Sequence, residues 1–156
     1  MARDDKADRL TRSPLHMLHR ASQCAGDVFH GEIGGDDLTP RQYAVLLTVS
    51  QNEGISQTGL VERTGVDRST LADIVRRMLK KGLLQRRRTK EDARAYAVKL
   101  TEEGKRQLRQ ADPVSRRVDD RILESLPTRQ REQFLDDLAA IVTALNKAER
   151  QSETAN

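Results

Sequence analysis

Apolar positions along the chain follow two periodicities, and the change from one to the other maps the elements. From Ser13-Pro14 onward, Leu15, Leu18, Ser22, Ala25 and Phe29 recur at three- and four-residue spacing, which predicts an amphipathic helix to about Glu32. Ser suits the N-cap, and Pro suits the first helical position, where its missing N–H removes no hydrogen bond. Gly34-Gly35-Asp36-Asp37 ends that helix. Thr39-Pro40-Arg41-Gln42 opens a second, with Thr39 and Gln42 spaced as a capping box, and Tyr43, Val45, Leu46, Leu47 and Val49 follow before a stop at Asn52-Glu53-Gly54. Ile55 leads to Ser56, an N-cap for a short helix over 57–63. Gly65 suits a turn that needs positive φ, and Asp67 caps the next helix, 68 to about 81. Leu60, Val66, Leu71 and Ile74 fall where two helices joined by a tight turn bury apolar side chains between them.

The period then drops to two. Leu83 and Leu84 open a strand that runs into Arg86-Arg87-Arg88, residues 89–94 form a loop, and Tyr96, Val98 and Leu100 alternate with Ala97 and Lys99 on a half-buried return strand. Thr101 caps a further helix carrying Leu108, Ala111, Ser115, Val118 and Ile122 along one side, with a kink expected about one turn before Pro113. Leu126-Pro127-Thr128 restarts the chain into a last helix with a broad stripe of Phe134, Leu135, Leu138, Ile141, Val142 and Leu145. Residues 1–12 read as frayed or weakly helical, and 150–156 as disordered. The predicted fold class is mainly α: a winged helix-turn-helix with a two-stranded β wing, held between long N- and C-terminal dimerisation helices. The expected segments are 1–36 (arm and first dimerisation helix), 37–100 (DNA-binding domain) and 101–156 (C-terminal dimerisation helices and tail). The terminal stripes exceed what the small central part can cover. This predicts pairing of the first, fifth and sixth helices with a second copy, the alternative being a monomeric bundle that covers itself.

Composition sharpens this reading. At 156 residues with 36% hydrophobic content and no Trp, the core is thin, which favours shared burial in a homodimer. The stretch 62–99 carries twelve basic and five acidic residues, an excess of seven; the whole chain is +4, so the remainder is net −3. A local basic excess on an acidic background suits a phosphate-facing surface, and double-stranded DNA is the expected partner. No apolar run approaches the roughly 20 residues of a membrane span, so no membrane partner is expected. Met1-Ala2-Arg3-Asp4-Asp5-Lys6 lacks a signal-peptide core, and a single Cys fits a reducing compartment, so the expected localisation is cytoplasmic. There is no phosphate-binding glycine loop, nucleophile elbow or zinc motif, and the expectation is a non-enzyme without cofactor or metal.

Arg68, Ser69, Thr70, Asp73, Arg76 and Arg77 are left outward on the second helix of the motif, with the spacing of a groove-reading face. Ser56 and Thr58, at the start of the first helix, join them as candidate DNA contacts. Ser69, Thr70 and Arg76 are the choices for base edges or the phosphates near them, Arg68 at the helix start suits either, and Asp73 one turn before Arg76 and Arg77 suits a brace for an arginine. Arg86, Arg88 and Lys90 suit phosphates, which set register without reading sequence.

The run Asp92-Ala93-Arg94-Ala95-Tyr96-Ala97-Val98-Lys99-Leu100-Thr101-Glu102-Glu103-Gly104 resembles the wing signature of the MarR family (multiple antibiotic resistance regulators), Asp-x-Arg followed by a hydrophobic residue and Leu-Thr-x-x-Gly. Val98 stands in the usual leucine place. The resemblance covers about residues 13–148. It implies a homodimeric bacterial transcription factor, usually a repressor, released from DNA by a small ligand or by oxidation. It also implies that the helix from Arg68 enters the major groove, and that Arg94 enters the minor groove with Asp92 orienting it. A guanidinium is drawn to the negative potential of a narrow A·T-rich groove; alternatively, Asp92 and Arg94 pin the hairpin turn. Such a dimer prefers an inverted repeat with half-sites roughly 34–36 Å apart.

For the signal sensed, the candidate effector residues are His16, His19, Arg20, Cys24 and Tyr43. Leu18-His19-Arg20-Ala21-Ser22-Gln23 is similar to a stretch in family members that respond to hydroxycinnamoyl-CoA thioesters such as p-coumaroyl-CoA. The resemblance implies an aromatic acid or aryl-CoA thioester as effector, with Arg12, Arg20 and Arg41 available for CoA phosphates. The alternative for His19 and Arg20 is intersubunit hydrogen bonding or a solvated edge. Cys24 as a peroxide switch, and a ligand-independent architectural DNA-binding protein, are the competing functions; for Cys24 itself, a buried inert thiol is the preferred reading.

Overall fold

The computed structural model describes residues 9–34, 38–88 and 96–155. Lys90, Asp92 and Arg94, and with them the expected wing loop, lie outside the described residues. In chain order the elements are α1 (Pro14–Ile33), α2 (Pro40–Gln51), β1 (Ile55–Ser56), α3 (Gln57–Thr64), α4 (Arg68–Lys80), β2 (Leu84–Arg88), β3 (Tyr96–Leu100), α5 (Glu102–Glu124) and α6 (Thr128–Thr154). Residues 9–11 are helical as well.

The helix starts carry the hydrogen bonds their sequences call for. Ser13 Oγ accepts from the His16 N–H at 3.3 Å. Thr39 and Gln42 form the reciprocal capping box, Thr39 Oγ1 accepting at 3.1 Å and Gln42 Oε1 at 3.2 Å. Such caps satisfy N–H groups that have no intrahelical partner. α5 runs without a break through Pro113. α6 continues to Thr154, where the sequence reading expected disorder from 150 onward. No Gly or Pro interrupts 128–154, and Ala148, Glu149 and Arg150 propagate a helix already formed.

The chain forms two compact units, Met1–Val118 and Asp119–Asn156. In the first, the sheet has the order β1-β3-β2 and is antiparallel throughout. The third strand adds to the expected two-stranded wing: Ile55 lies opposite Val98 and Ser56 opposite Ala97. Two residues are too few for a period-two signal, so the sequence does not show β1. The core gathers Leu46, Leu60, Leu71, Met78, Leu83 and Val98, all essentially inaccessible, from α2, α3, α4, the turn before β2 and the sheet. A smaller cluster joins Phe29 of α1 to Val114 and Val118 of α5, with Ala25 and Val28 packed against it. This covers the C-terminal half of α1 only. Toward its N-terminus Leu15 (70% exposed), Met17 and Leu18 are bare. In the second unit no residue of α6 is buried, and Leu135, Ile141, Val142 and Leu145 all face outward.

The segment between α4 and α5 is closed by a tight polar joint. The Thr101 hydroxyl donates to the Gly82 carbonyl and accepts from the Gly104 N–H at 3.0 Å, and the Thr101 N–H donates to the Leu83 carbonyl at 3.1 Å. Gly104 sits so close to Leu83 that any Cβ there would fall inside the van der Waals shell of the Leu83 carbonyl oxygen. Gly26, within α1, has open space where a Cβ would go. Gly104→Ala should therefore cost about 1–3 kcal/mol through overpacking, a fall in melting temperature of roughly 3–10 °C. Gly26→Ala should hold or raise it, since Ala is the better helix former. Thermal melts of the two variants beside wild type check this, and an unchanged midpoint for Gly104→Ala would contradict the packing.

Candidate nucleic-acid interface

The outward face of the first unit is built by two short helices and their connecting turn. Ser56 Oγ accepts from the Gly59 N–H at 3.0 Å and starts α3. Gly65 ends it with φ at +70°, a conformation that favours glycine, while its N–H donates to Val61 O. Thr64 donates its hydroxyl to Leu60 O and accepts from the Val66 N–H at 3.3 Å, which stiffens the turn. Val66 is half-buried against the core, as its place in the pattern predicts.

Asp67 starts α4, accepting from the Thr70 N–H at 3.0 Å and the Ser69 hydroxyl at 2.9 Å. Leu71, Ile74, Val75 and Met78 turn into the core, at the spacing of one helix face. Arg68, Ser69, Arg76 and Arg77 are left exposed, with Thr70 and Asp73 half-exposed beside them. Asp73 holds both arginines, pairing with Arg76 and with Arg77 Nε at 3.0 Å. This is the brace its spacing suggests. The hydrogen bond from Arg76 keeps the Asp73 carboxyl below the usual range, so it is ionised wherever the protein is folded near neutrality. Thr58 is exposed, while the half-buried Ser56 uses its oxygen as the acceptor of the cap, a role that leaves the O–H able to donate.

β2 and β3 extend the basic surface. Leu84 opposite Leu100 and Arg86 opposite Val98 share one face of the sheet, which Arg88 opposite Tyr96 continues outward. Arg86 and Arg88 are exposed.

The candidate effector residues do not form one cluster. His19, Arg20 and Cys24 are exposed along α1, and His16 is half-exposed. The exposure of Cys24 corrects the expectation of a buried thiol, because α5 covers α1 only from Ala25 onward. Tyr43 instead reaches α5, donating its hydroxyl to Asp112 Oδ1 at 2.6 Å, with its ring 6.3 Å from that of Phe29. Arg116 Nε donates to Asp112 Oδ2 at 2.9 Å. Burial raises the Tyr43 phenol above its ordinary range, helped by the Asp112 carboxylate, while the Tyr43 hydroxyl bond lowers Asp112. Nearby, Arg117 Nε donates to Glu32 at 3.1 Å across α5 and α1. The sequence reading missed Asp112, Arg116 and Arg117. The four-residue Asp112–Arg116 spacing was a usable signal; the Tyr43 contact had none. A cleft of about 260 Å³ opens where the end of α1 meets the approach to α2 and α5, lined among the described residues by Ile33, Gly34, Leu38, Gln107 and Gln110.

Among the described residues, no helix is long and apolar enough to cross a membrane. A family model described as the MarR family matches residues 38–96. The transcriptional regulator HosA of Escherichia coli O127:H6 is 36% identical over 99 residues, 64% of this chain and 73% of the relative. Among solved structures, the PcaV transcriptional regulator of Streptomyces coelicolor with its natural ligand superposes with a TM-score of 0.81 at 30% identity, covering 87% of this chain and 96% of PcaV. The transcriptional repressor CouR bound to a 23-mer DNA duplex gives 0.76 at 29%, covering 85% and 94%, and CouR bound to p-coumaroyl-CoA gives 0.75 at 28% with the same coverage.

The Asp67 cap has a pH signature. Hydrogen bonds from Thr70 and then Ser69 lower its carboxyl from 3.8 to about 2 in the folded chain. A depressed folded pKa means a stabilisation fully present above the unfolded value and lost as pH falls through the folded one. Asp67→Asn keeps a capping oxygen but cannot titrate. The gap in melting temperature between wild type and Asp67→Asn should be constant above about pH 5 and shrink from near 3.8 down to about 2. A gap independent of pH would remove the charged cap.

Proposed function

We propose that this chain, which belongs to the MarR family of DNA-binding transcriptional regulators, is a homodimeric, ligand-responsive repressor of a pseudo-palindromic operator. The observation that carries the reading is α4: a helix capped by Asp67, anchored by Leu71, Ile74, Val75 and Met78, and presenting Arg68, Arg76 and Arg77 outward. In this reading α4 enters the major groove, with Ser69, Thr70 and Arg76 nearest the base edges, and Ser56 and Thr58 meet the flanking backbone. Arg86, Arg88 and Lys90 hold phosphates, and Arg94, oriented by Asp92, enters the minor groove.

The bare apolar positions on α1 and on α6 support a second copy as their cover, since scattered exposed hydrophobics are ordinary but continuous stripes on long helices are not. The effector, an aromatic acid or its CoA thioester, acts where α1, α2 and α5 converge. The cleft there, with the Gln107 and Gln110 carboxamides on one wall, supports this, as do the ligand-bound PcaV and the p-coumaroyl-CoA complex of CouR as similar structures. Such a ligand releases DNA only by binding the DNA-incompetent arrangement more tightly.

The test begins with a duplex enriched from a random pool by the protein itself. With six to ten phosphate contacts, affinity should fall about 10³–10⁵-fold between 50 and 200 mM salt. A flat salt response would contradict the basic-face reading. Arg76→Ala and Arg94→Ala should each weaken binding by roughly 10–100-fold, equivalent to about 1–3 kcal/mol per lost contact, without moving the melting temperature. Release of the duplex by aromatic acids or aryl-CoA thioesters, but not by peroxide, is the expected effector result; peroxide release abolished by Cys24→Ser would replace it with thiol sensing.

A further inference from the structure

Arg86 and Arg88 stand two residues apart on β2, so their side chains leave the same face of the sheet. Arg88 is directly opposite Tyr96, and Arg86 is opposite Val98, one pair nearer the core. The Tyr96 ring therefore has one guanidinium across from it and the other on the diagonal. Arg86 Cζ lies 5.1 Å from the ring centroid and Arg88 Cζ 5.9 Å. Both are within the range at which a cation is drawn to the negative face of an aromatic ring. Val98, Leu84 and Leu100, on the same face of the sheet, are buried in the core, so the strands that carry the ring and the two arginines are anchored there.

Two like charges two residues apart on one strand face repel each other, and each side chain has many rotamers to lose on binding. The ring opposes both tendencies. A guanidinium lying against it keeps its N–H edge free in its own plane, the direction from which it forks onto phosphate oxygens. Arg87, opposite Ala97, projects from the other face of the sheet. From this geometry we infer that Tyr96 is a positioning residue for DNA binding, whose ring gathers Arg86 and Arg88 into a paired clamp for the phosphate backbone. The inference rests on the DNA-binding reading above and adds a residue to it that contacts no DNA itself.

The experiment measures fluorescence anisotropy on one enriched duplex at several salt concentrations, with circular-dichroism melts as the fold check. Tyr96→Leu should weaken binding about tenfold and reduce the slope of log affinity against log salt by about 1–2. Tyr96→Phe, which keeps the ring, should retain both. In a protein already carrying Arg86→Ala and Arg88→Ala, Tyr96→Leu should have no further effect. If Tyr96→Leu melts early, phenylalanines of increasing fluorination at position 96 keep the shape while weakening the ring face. Affinity falling with each fluorine supports the role, and affinity that stays flat overturns it. Wild-type affinity and slope in Tyr96→Leu, or an equal loss with and without the two arginines, overturns the role of Tyr96 while leaving DNA binding in place. A wild-type protein that ignores every duplex at low salt overturns both.

Discussion

Thr101 ties together by hydrogen bonds three parts of the first unit that otherwise meet through the non-directional packing of the core. α4 ends in a reversal in which the Leu83 N–H returns to Met78 O and the Gly82 N–H to Leu79 O, with Gly82 at φ +74°. That leaves the Gly82 and Leu83 carbonyls pointing away from α4. The Thr101 hydroxyl takes the first and its N–H the second, while its oxygen caps the Gly104 N–H at the start of α5. One residue thus satisfies the exit of the outward helix and the entry of the long helix. Because β2 begins immediately after Leu83, the angle between α4 and the sheet follows from the same joint. The missing Cβ at Gly104 is what lets α5 come this close to the Leu83 carbonyl. The Leu-Thr-x-x-Gly run is therefore a packing device, whichever DNA the face in front of it meets.

What could be read from the sequence is what happens within one turn of helix. Ser13, the Thr39–Gln42 pair, Ser56, Asp67 and Thr101 all accept from a backbone N–H three residues on, so the spacing alone reveals them. The Asp73 brace is equally local, at three and four residues. The core positions Leu60, Leu71 and Ile74 follow from periodicity. Contacts made across the chain were invisible. Ile55 and Ser56 become a strand only because β3 lies beside them, and Tyr43 is a hydrogen-bond donor only because Asp112, 69 residues away, is brought to it. Cys24 sits beside the apolar stripe on a helical projection, yet its exposure is decided by where α5 begins to cover α1.

The basic stretch is patterned rather than simply charged. Its two carboxylates on α4 are both used: Asp67 offsets the positive end of the helix, and Asp73 lies between two arginines. Exposed ion pairs of this kind contribute little to stability. In the proposed DNA-binding reading their effect is on the ensemble of arginine conformations, since a side chain already held in place would lose less freedom on binding. The same argument applies to the guanidiniums at Tyr96, with an aromatic face in place of a carboxylate.

Besides the Thr101 joint, a second link between α5 and the core beneath α4 runs through Tyr43. α2 contributes Val45, Leu46 and Val49 to the core that also holds Leu71 and Met78 of α4, so a shift of α2 displaces the packing beneath the outward helix. Interiors this dense pass displacement on rather than absorb it. Tyr43 couples α2 to α5 through Asp112 and to α1 through the Phe29 ring, while Arg117 and Glu32 join α5 to α1 alongside. The phenol is raised and the carboxyl lowered, so their hydrogen bond keeps the same protonation throughout the neutral range. The link is consequently mechanical and not a pH switch. The cleft at Gln107 and Gln110 lies on α5 within two turns of Asp112, so in the proposed reading an effector's preference for one placement of α5 would pass to α2, and through the shared core to α4.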